Sequence, residues 1–104
     1  MQNSEITNKE MANNQADLIK SLYEVLQANF SGSINIIDDS HLHAGHNHNG
    51  GSHYTLHIVD EKFNDLSRIQ RHRLVYDILA QYMNGKIHAL ALKLYSPYEY
   101  FNEN

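Results

Sequence analysis

The sequence predicts an α+β fold in which one three-stranded sheet packs against helices, in the order α-β-β-α-β with a short final helix. Two observations predict it. Apolar residues recur at intervals of three and four in two long segments, and they alternate with polar residues in three short segments. A chain of 104 residues is long enough for one domain and one core.

The first predicted element is an amphipathic helix over residues 17–30. Asn14 and Asp17 provide a start signal, and Ser31-Gly32-Ser33 ends the helix. Residues 1–13 are polar and have no apolar period, so we expect a flexible amino-terminal tail followed by a domain over 14–104. The apolar face of the helix contains Leu18, Ile19, Leu22, Val25, Leu26 and Phe30.

A hairpin with a long connection follows. Residues 33–38 alternate as a strand, with Ile34 and Ile36 on one face, and residues 54–59 alternate as a second strand. The connection over 39–52 is rich in His, Asn and Gly and has no apolar pair to anchor it. Long connections of this kind are usually functional or mobile.

The second half of the chain predicts a helical turn over 61–66, a long helix over 68–83 and a third strand over 87–95. Ser67 is a suitable cap for the helix, and Asn84-Gly85 is a stop signal. Pro97 ends the strand, and 98–101 forms a last helical turn. The predicted buried stripe of the helix consists of Ile69, His72, Val75, Tyr76, Leu79, Tyr82 and Met83. The shared face of the third strand consists of His88, Leu90, Leu92 and Leu94.

Composition excludes several functions. The chain has no cysteine, which excludes disulfides, thiol catalysis and cysteine-based zinc sites. A net charge of −4 argues against a uniformly basic surface, and no apolar run suits a membrane span. There is no nucleophile motif and no glycine-rich phosphate loop, so we expect a protein that is not an enzyme. The polar amino terminus favours a cytoplasmic protein, with an organelle matrix as the alternative.

Histidine is concentrated in the hairpin connection. Six of the eight histidines fall between His41 and His57. The tract of His41, His43, His46 and His48 could bind zinc, nickel or copper without any regular secondary structure, because imidazole suits all three metals. One interpretation is therefore a metal-binding protein that acts alone through this loop.

The stretch over 39–100 closely resembles the BolA family. The resemblance is carried by Ser40 to His43, by Ser52-His53, by the RHRLVY run over 71–76 and by the IHALAL run over 87–92. It implies a fold similar to class II KH domains. The stretch over 61–66, which takes the place of their GxxG loop, contains no glycine, so RNA binding through that loop is not expected.

The resemblance implies a monothiol glutaredoxin as partner and a shared [2Fe–2S] cluster, with glutathione supplied alongside the glutaredoxin. His88 takes the place of the family's strand ligand and His43 that of its loop ligand, with His41 and His46 as substitutes. A chain without cysteine can supply only the imidazole half of such a cluster. We expect cluster trafficking or iron and stress sensing, by a monomer that forms a heterodimer with its partner. From the sequence pattern alone, a structural role for His88 stays open.

Bacterial members of the family are described as transcriptional regulators of stress and morphology, which implies DNA as an alternative partner. Arg68, Arg71 and Arg73, with Lys62 just before them, could contact phosphates. The alternative is a solvated helix face with ordinary ion pairs.

His53 is expected to be structural at the exit of the loop, and His72 to be a core histidine. No role is predicted for His57. The aromatic tail is expected to pack on the sheet and contains Tyr95, Tyr98, Tyr100 and Phe101.

Overall fold

A computed structural model describes residues 8–39, 53–84, 87 and 89–103. Its elements follow the predicted order, which confirms the α+β fold. Two single-turn 3-10 helices, Glu61–Phe63 and Ala80–Tyr82, lie on either side of the second helix. The six main elements are α1 (Asn8–Asn29), β1 (Ser33–Asp38), β2 (His53–Val59), α2 (Arg68–Ile78), β3 (Ala89–Tyr95) and α3 (Pro97–Glu103).

The three strands form one mixed sheet in the order β1-β2-β3. β1 runs antiparallel to β2, with Ile34 opposite Ile58, so the predicted hairpin is confirmed. β3 runs parallel to β2, with Leu56 opposite Leu92. A parallel pair needs a crossover connection, and α2 provides it between β2 and β3.

The core lies between the sheet and α1 and α2. Every second residue of β2 is fully buried, as the alternating sequence predicts, because successive side chains point to opposite faces of a sheet. The buried cluster consists of Leu22, Leu26, Phe30, Tyr54, Leu56, Ile58, Phe63, Val75, Leu79, Ile87 and Leu94.

The start predicted for α1 is wrong. The helix begins at Asn8, so residues 8–13, which we expected in the flexible tail, are helical. This stretch has no proline or glycine and contains helix formers such as Lys9, Glu10 and Ala12. Because these residues are polar, the stretch has no apolar stripe from which a helix could be predicted, although its residues still favour a helix. Residues 1–7 lie outside the described residues, and the domain boundary at residue 14 stays a prediction.

The predicted cap of α2 is confirmed, but its predicted end and part of its buried stripe are wrong. Ser67 and Gln70 form a reciprocal capping box. The helix ends at Ile78 rather than at 83. Ile69 is 64% exposed and Tyr76 is 38% exposed, whereas Val75 and Leu79 are fully buried. The core-facing stripe is centred on those two residues.

Tyr76 leaves the stripe for a physical reason. Its hydroxyl donates to the carbonyl of Leu90 at 3.3 Å, so the ring covers the outer edge of β3 instead of entering the core. Outward-facing backbone groups of an edge strand need such partners to prevent pairing with other chains.

Proline begins α3 rather than only ending the strand before it. Pro97 is the first residue of the helix, a position where the missing N–H costs nothing. α3 extends to Glu103, two residues beyond the single turn predicted. Among the helices of the described ranges, none is both long and apolar enough to cross a bilayer.

Candidate functional site

The two ends of the histidine-rich connection meet the start of β3 at one end of the sheet. The amide of Asp39, the last described residue before the connection, donates to the carbonyl of His53 at 2.7 Å. His53 is in register with Ala89 on the next strand. His88 directly precedes Ala89 in the chain. Both ends of the connection therefore lie beside Ala89, the first residue of β3, which directly follows His88 in the chain.

A side-chain bond reinforces this arrangement. The hydroxyl of Thr55 donates to the Asp39 carboxylate at 2.5 Å. Asp39 is thus held on β2 by its backbone and by its side chain. A shallow hollow of about 270 Å³ opens at the same place. Its walls are formed by Asp39, His53, Tyr54, Thr55, Ala89, Leu90 and Ala91.

The predicted cluster ligands lie outside the described residues. This applies to His88 and to the loop histidines His41, His43, His46 and His48. In the part of the chain that is described, no group of three or more His, Cys, Asp or Glu side chains could hold a metal ion. The chain has no cysteine, so its donors suit only the imidazole half of an iron–sulfur cluster.

Arg71 lies in an internal ion pair rather than on a free basic surface. It forms two parallel bonds to Glu99, at 2.7 and 3.1 Å. It also donates to the carbonyls of Leu66, at 3.0 Å, and Leu94, at 3.1 Å. Its side chain is only 12% exposed. Arg71 therefore joins α2 to β3 and α3.

The environment of Glu99 favours its charged form. The hydrogen bond from Arg71 is the main cause, and the Ser96 amide adds another, so the pKa of Glu99 falls from 4.5 to about 2. Ser96 also accepts from the Glu99 amide at 3.3 Å, which completes a small cap at the start of α3. The Glu99 carboxylate thus accepts hydrogen bonds both from the Ser96 amide at the start of α3 and from Arg71.

The other three predicted phosphate-binding residues are exposed. The ammonium of Lys62 donates to the carbonyl of Asn29 and lies 5.4 Å from the centre of the Phe30 ring. Within the described ranges, Arg68 and Arg73 form no ion pair. These two arginines are therefore available to an anionic partner.

The structure also shows a cluster around His57 that the sequence did not predict. The rings of Tyr95 and Tyr100 each lie 5.4 Å from that of His57. The expectation that the aromatic tail packs on the sheet is confirmed for these two tyrosines, whereas Tyr98 and Phe101 are about three-quarters exposed. The alternation of β2 could have indicated this cluster, because it places His57 on the face of the sheet opposite the core.

His53 and His72, both expected to be structural, are half-buried. His53 supplies the carbonyl that holds Asp39, although this bond does not use its ring. His72 lies at a cavity between α2 and β3. The structural roles of the two rings stay predictions.

Comparison with known proteins identifies the family. The family model described as "BolA-like protein" matches residues 24–99, well over half of the chain. The chain belongs to the BolA-like family. This confirms the resemblance seen in the sequence, and a solved family member shares the fold. The BolA domain of SufE1 from Arabidopsis thaliana is 33% identical, has a TM-score of 0.68, and the match covers 77% of this chain and 92% of that one.

Two curated relatives are similar over the same region. The "DNA-binding transcriptional regulator BolA" of Haemophilus influenzae is 40% identical over 70 residues, which is 66% of this chain and 66% of that protein. A BolA-like protein of Dictyostelium discoideum is 40% identical over 73 residues, 69% of this chain and 63% of that protein. The match therefore spans slightly less than two thirds of each relative. The similarity to class II KH domains stays a prediction.

Proposed function

We propose that this BolA-like protein is a non-catalytic adaptor that binds a monothiol glutaredoxin and shares a [2Fe–2S] cluster with it. Its role is iron–sulfur trafficking or iron and stress sensing, in the cytoplasm or an organelle matrix. The observation that supports the proposal is the sheet end at which Asp39, His53 and Ala89 are neighbours. Both stretches of chain that carry the proposed ligands, His43 and His88, extend from these residues.

Chain geometry is compatible with that pairing. Residue 43 is four residues from Asp39, so its Cα lies within about 14 Å of that anchor, and residue 88 is about 3.8 Å from the Cα of Ala89. His41 and His46 are close enough in the chain to replace His43. The chain has no thiolate, so the partner's cysteine and glutathione supply the sulfur ligands. The cluster is a cargo shared between two proteins in this proposal.

Anaerobic reconstitution with a monothiol glutaredoxin and glutathione tests the proposal. Visible absorption and circular dichroism are compared for the glutaredoxin alone and for mixtures with wild type, His88→Ala and His43→Ala. We expect wild type to produce a new cluster spectrum and His88→Ala to abolish it. The His43→Ala spectrum then identifies the loop ligand, since an unchanged spectrum would assign that role to His41 or His46.

A matched control removes an imidazole from elsewhere. His72→Gln alters a described, half-buried histidine on α2, distant in the chain from both ligand positions. It should give the wild-type spectrum. If wild type leaves the glutaredoxin spectrum unchanged, the adaptor proposal is wrong. A zinc or copper titration without the partner then tests the remaining interpretation of a metal-binding loop that acts alone.

DNA binding is the second candidate function, as in a transcriptional regulator of stress and morphology genes. It is supported by the name of the Haemophilus influenzae relative and by the exposure of Arg68 and Arg73. Since Arg71 is held by Glu99, the contact would use Arg68, Arg73 and Lys62. Each phosphate contact contributes about −0.9 to the slope of log affinity against log salt concentration.

The double variant Arg68→Glu/Arg73→Glu tests this candidate by fluorescence anisotropy with duplex DNA at several salt concentrations. We expect weaker binding and a salt slope that is shallower by about two. Lys20→Glu, which reverses an exposed charge on α1, is the matched control and should keep the wild-type slope. The control makes half the change in net charge of the double variant, so a loss of log affinity half as large in Lys20→Glu would mean that net charge alone governs the binding.

A further inference from the structure

A cavity of about 620 Å³ lies between the start of α2, the outer edge of β3 and α3. Pockets for small molecules commonly have volumes of this order. It is separate from the hollow at the base of the histidine-rich connection, because the two share no lining residue. The cavity is lined by Leu66, Arg68, Arg71, His72, Leu92, Lys93, Leu94, Tyr95 and Glu99.

The charges of this lining are unbalanced. It contains three cations, Arg68, Arg71 and Lys93, and one carboxylate, Glu99. Arg71 neutralises Glu99 in the ion pair described above. Neither Arg68 nor Lys93 forms an ion pair with a described residue. Two positive charges thus remain at the cavity of a protein whose formal net charge is −4.

Arg71 does not compete for a ligand. A guanidinium has five N–H groups, and four of those of Arg71 are already donated to Glu99 and to backbone carbonyls. The ion pair instead fixes the wall between α2 and α3. The first turn of α2 carries no acidic side chain, so the positive end of its dipole adds to the field from Arg68.

The uncharged part of the lining includes apolar side chains. Leu66, Leu92 and Leu94 contribute to it, together with Tyr95. An inorganic anion would leave these groups without a contact, and a neutral apolar molecule would leave the two cations without one. The lining suits a small molecule that carries a doubly charged group at one end and an apolar or aromatic group at the other.

We propose that this cavity binds a phosphate monoester with an aromatic or apolar moiety. Arg68 and Lys93 contact the phosphate, whose charge near neutral pH approaches −2 and whose oxygens accept strong hydrogen bonds from cations. The organic moiety packs against Leu66 and Leu92. This inference depends on neither of the functions proposed above.

NMR titration of the labelled full-length protein with phenyl phosphate tests the proposal, with inorganic phosphate and phenol as partial ligands. We expect saturable shifts around the cavity with a Kd on the order of 1 mM or below. Inorganic phosphate and phenol should each bind more weakly. The variant Arg68→Gln/Lys93→Gln should weaken phenyl phosphate binding at least about tenfold, since it removes both charge-assisted contacts. Both side chains are exposed, so its spectrum should stay that of a folded protein.

Arg73→Gln is the matched control, because it removes an exposed cation of α2 that does not line the cavity. It should bind phenyl phosphate as wild type does, although it should weaken any DNA binding. The proposal is overturned if shifts do not saturate, or if the double variant loses less than tenfold. It is also overturned if Arg73→Gln loses as much as the double variant, or if either partial ligand binds as tightly as phenyl phosphate.

Discussion

Arg71 and Glu99 show how one pair of residues can join three elements. The pKa of Glu99 is lowered in the folded protein, so its carboxylate stays charged at a pH where that of the unfolded chain is protonated. The pair therefore stabilises the fold above pH 4.5, and this contribution is lost as the pH falls from 4.5 to about 2. Screening by solvent keeps the contribution small, because the Glu99 side chain is 35% exposed.

The variant Glu99→Gln removes the charge and keeps the size of the side chain. We expect it to lower the free energy of unfolding by about 1 kcal/mol at pH 7. The difference from wild type should shrink as the pH falls below 4.5. Urea unfolding at pH 7, 4.5 and 3 measures it. Glu61→Gln, at an exposed glutamate outside the pair, is the control. A difference that is the same at all three pH values would contradict this account.

Gly32 is required by a close approach of two backbone segments. A Cβ atom at this position would lie 2.0 Å from the carbonyl oxygen of Val59. The amide of Gly32 also donates to the buried carboxylate of Asp60 at 2.7 Å. Since both neighbours are held by β2 and by the following 3-10 helix, the contact cannot relax by moving a flexible side chain.

We therefore expect Gly32→Ala to destabilise the protein by roughly 2 kcal/mol or more, because the backbone has to shift. Ser31→Ala changes the exposed neighbouring residue and should stay within about 0.5 kcal/mol of wild type. Thermal unfolding followed by circular dichroism compares the two variants. Equal midpoints would show that the turn between α1 and β1 has more freedom than the contact implies.

The elements themselves were largely predictable where the signal is local. The bounds of β1 follow from two-residue alternation, and the cap of α2 follows from Ser67, because serine is a preferred cap residue. The start of α1 and the exposure of Ile69 and Tyr76 were not predictable in this way. A helical period identifies which residues share a face, but the tertiary packing decides where the centre of the buried face lies.

The capping box of α2 allows a prediction at this scale. Ser67→Ala leaves the Gln70 amide without its side-chain acceptor and should cost about 1 kcal/mol of stability. Ser67→Asp keeps an acceptor at the cap and should stay close to wild type. Urea unfolding compares the three proteins. If Ser67→Ala were as stable as wild type, the packing of Val75 and Leu79 alone would hold the helix.

For the whole molecule, the candidate site was only partly predictable. The sequence identified the histidine-rich connection and the third strand, because composition and alternation are local properties. It did not show that Arg71 is held by Glu99, since the two residues are 28 positions apart and meet only after β3 is added to the sheet. It also did not show that Asp39 is tied to Thr55 across the hairpin.

The fold and the proposed cluster function depend on different residues. Six residue pairs, from Ser33 with Val59 to Asp38 with Tyr54, fix the register of the hairpin. The Asp39–His53 bond extends the pairing to the base of the connection. The proposed ligand His43 follows this base in the chain, within residues 40–52.

Replacing residues 40–52 by a linker of roughly four residues that contains Asn-Gly should therefore keep the fold, because hairpins close readily with such turns. A shorter connection loses less entropy on closure, so we expect the variant to be about 1 kcal/mol more stable in urea. The same variant should form no shared cluster spectrum with a monothiol glutaredoxin, since it lacks His43 and its substitutes. A destabilised variant would show that the connection helps to hold the hairpin. A stable variant that still forms the cluster would exclude every loop histidine as a ligand.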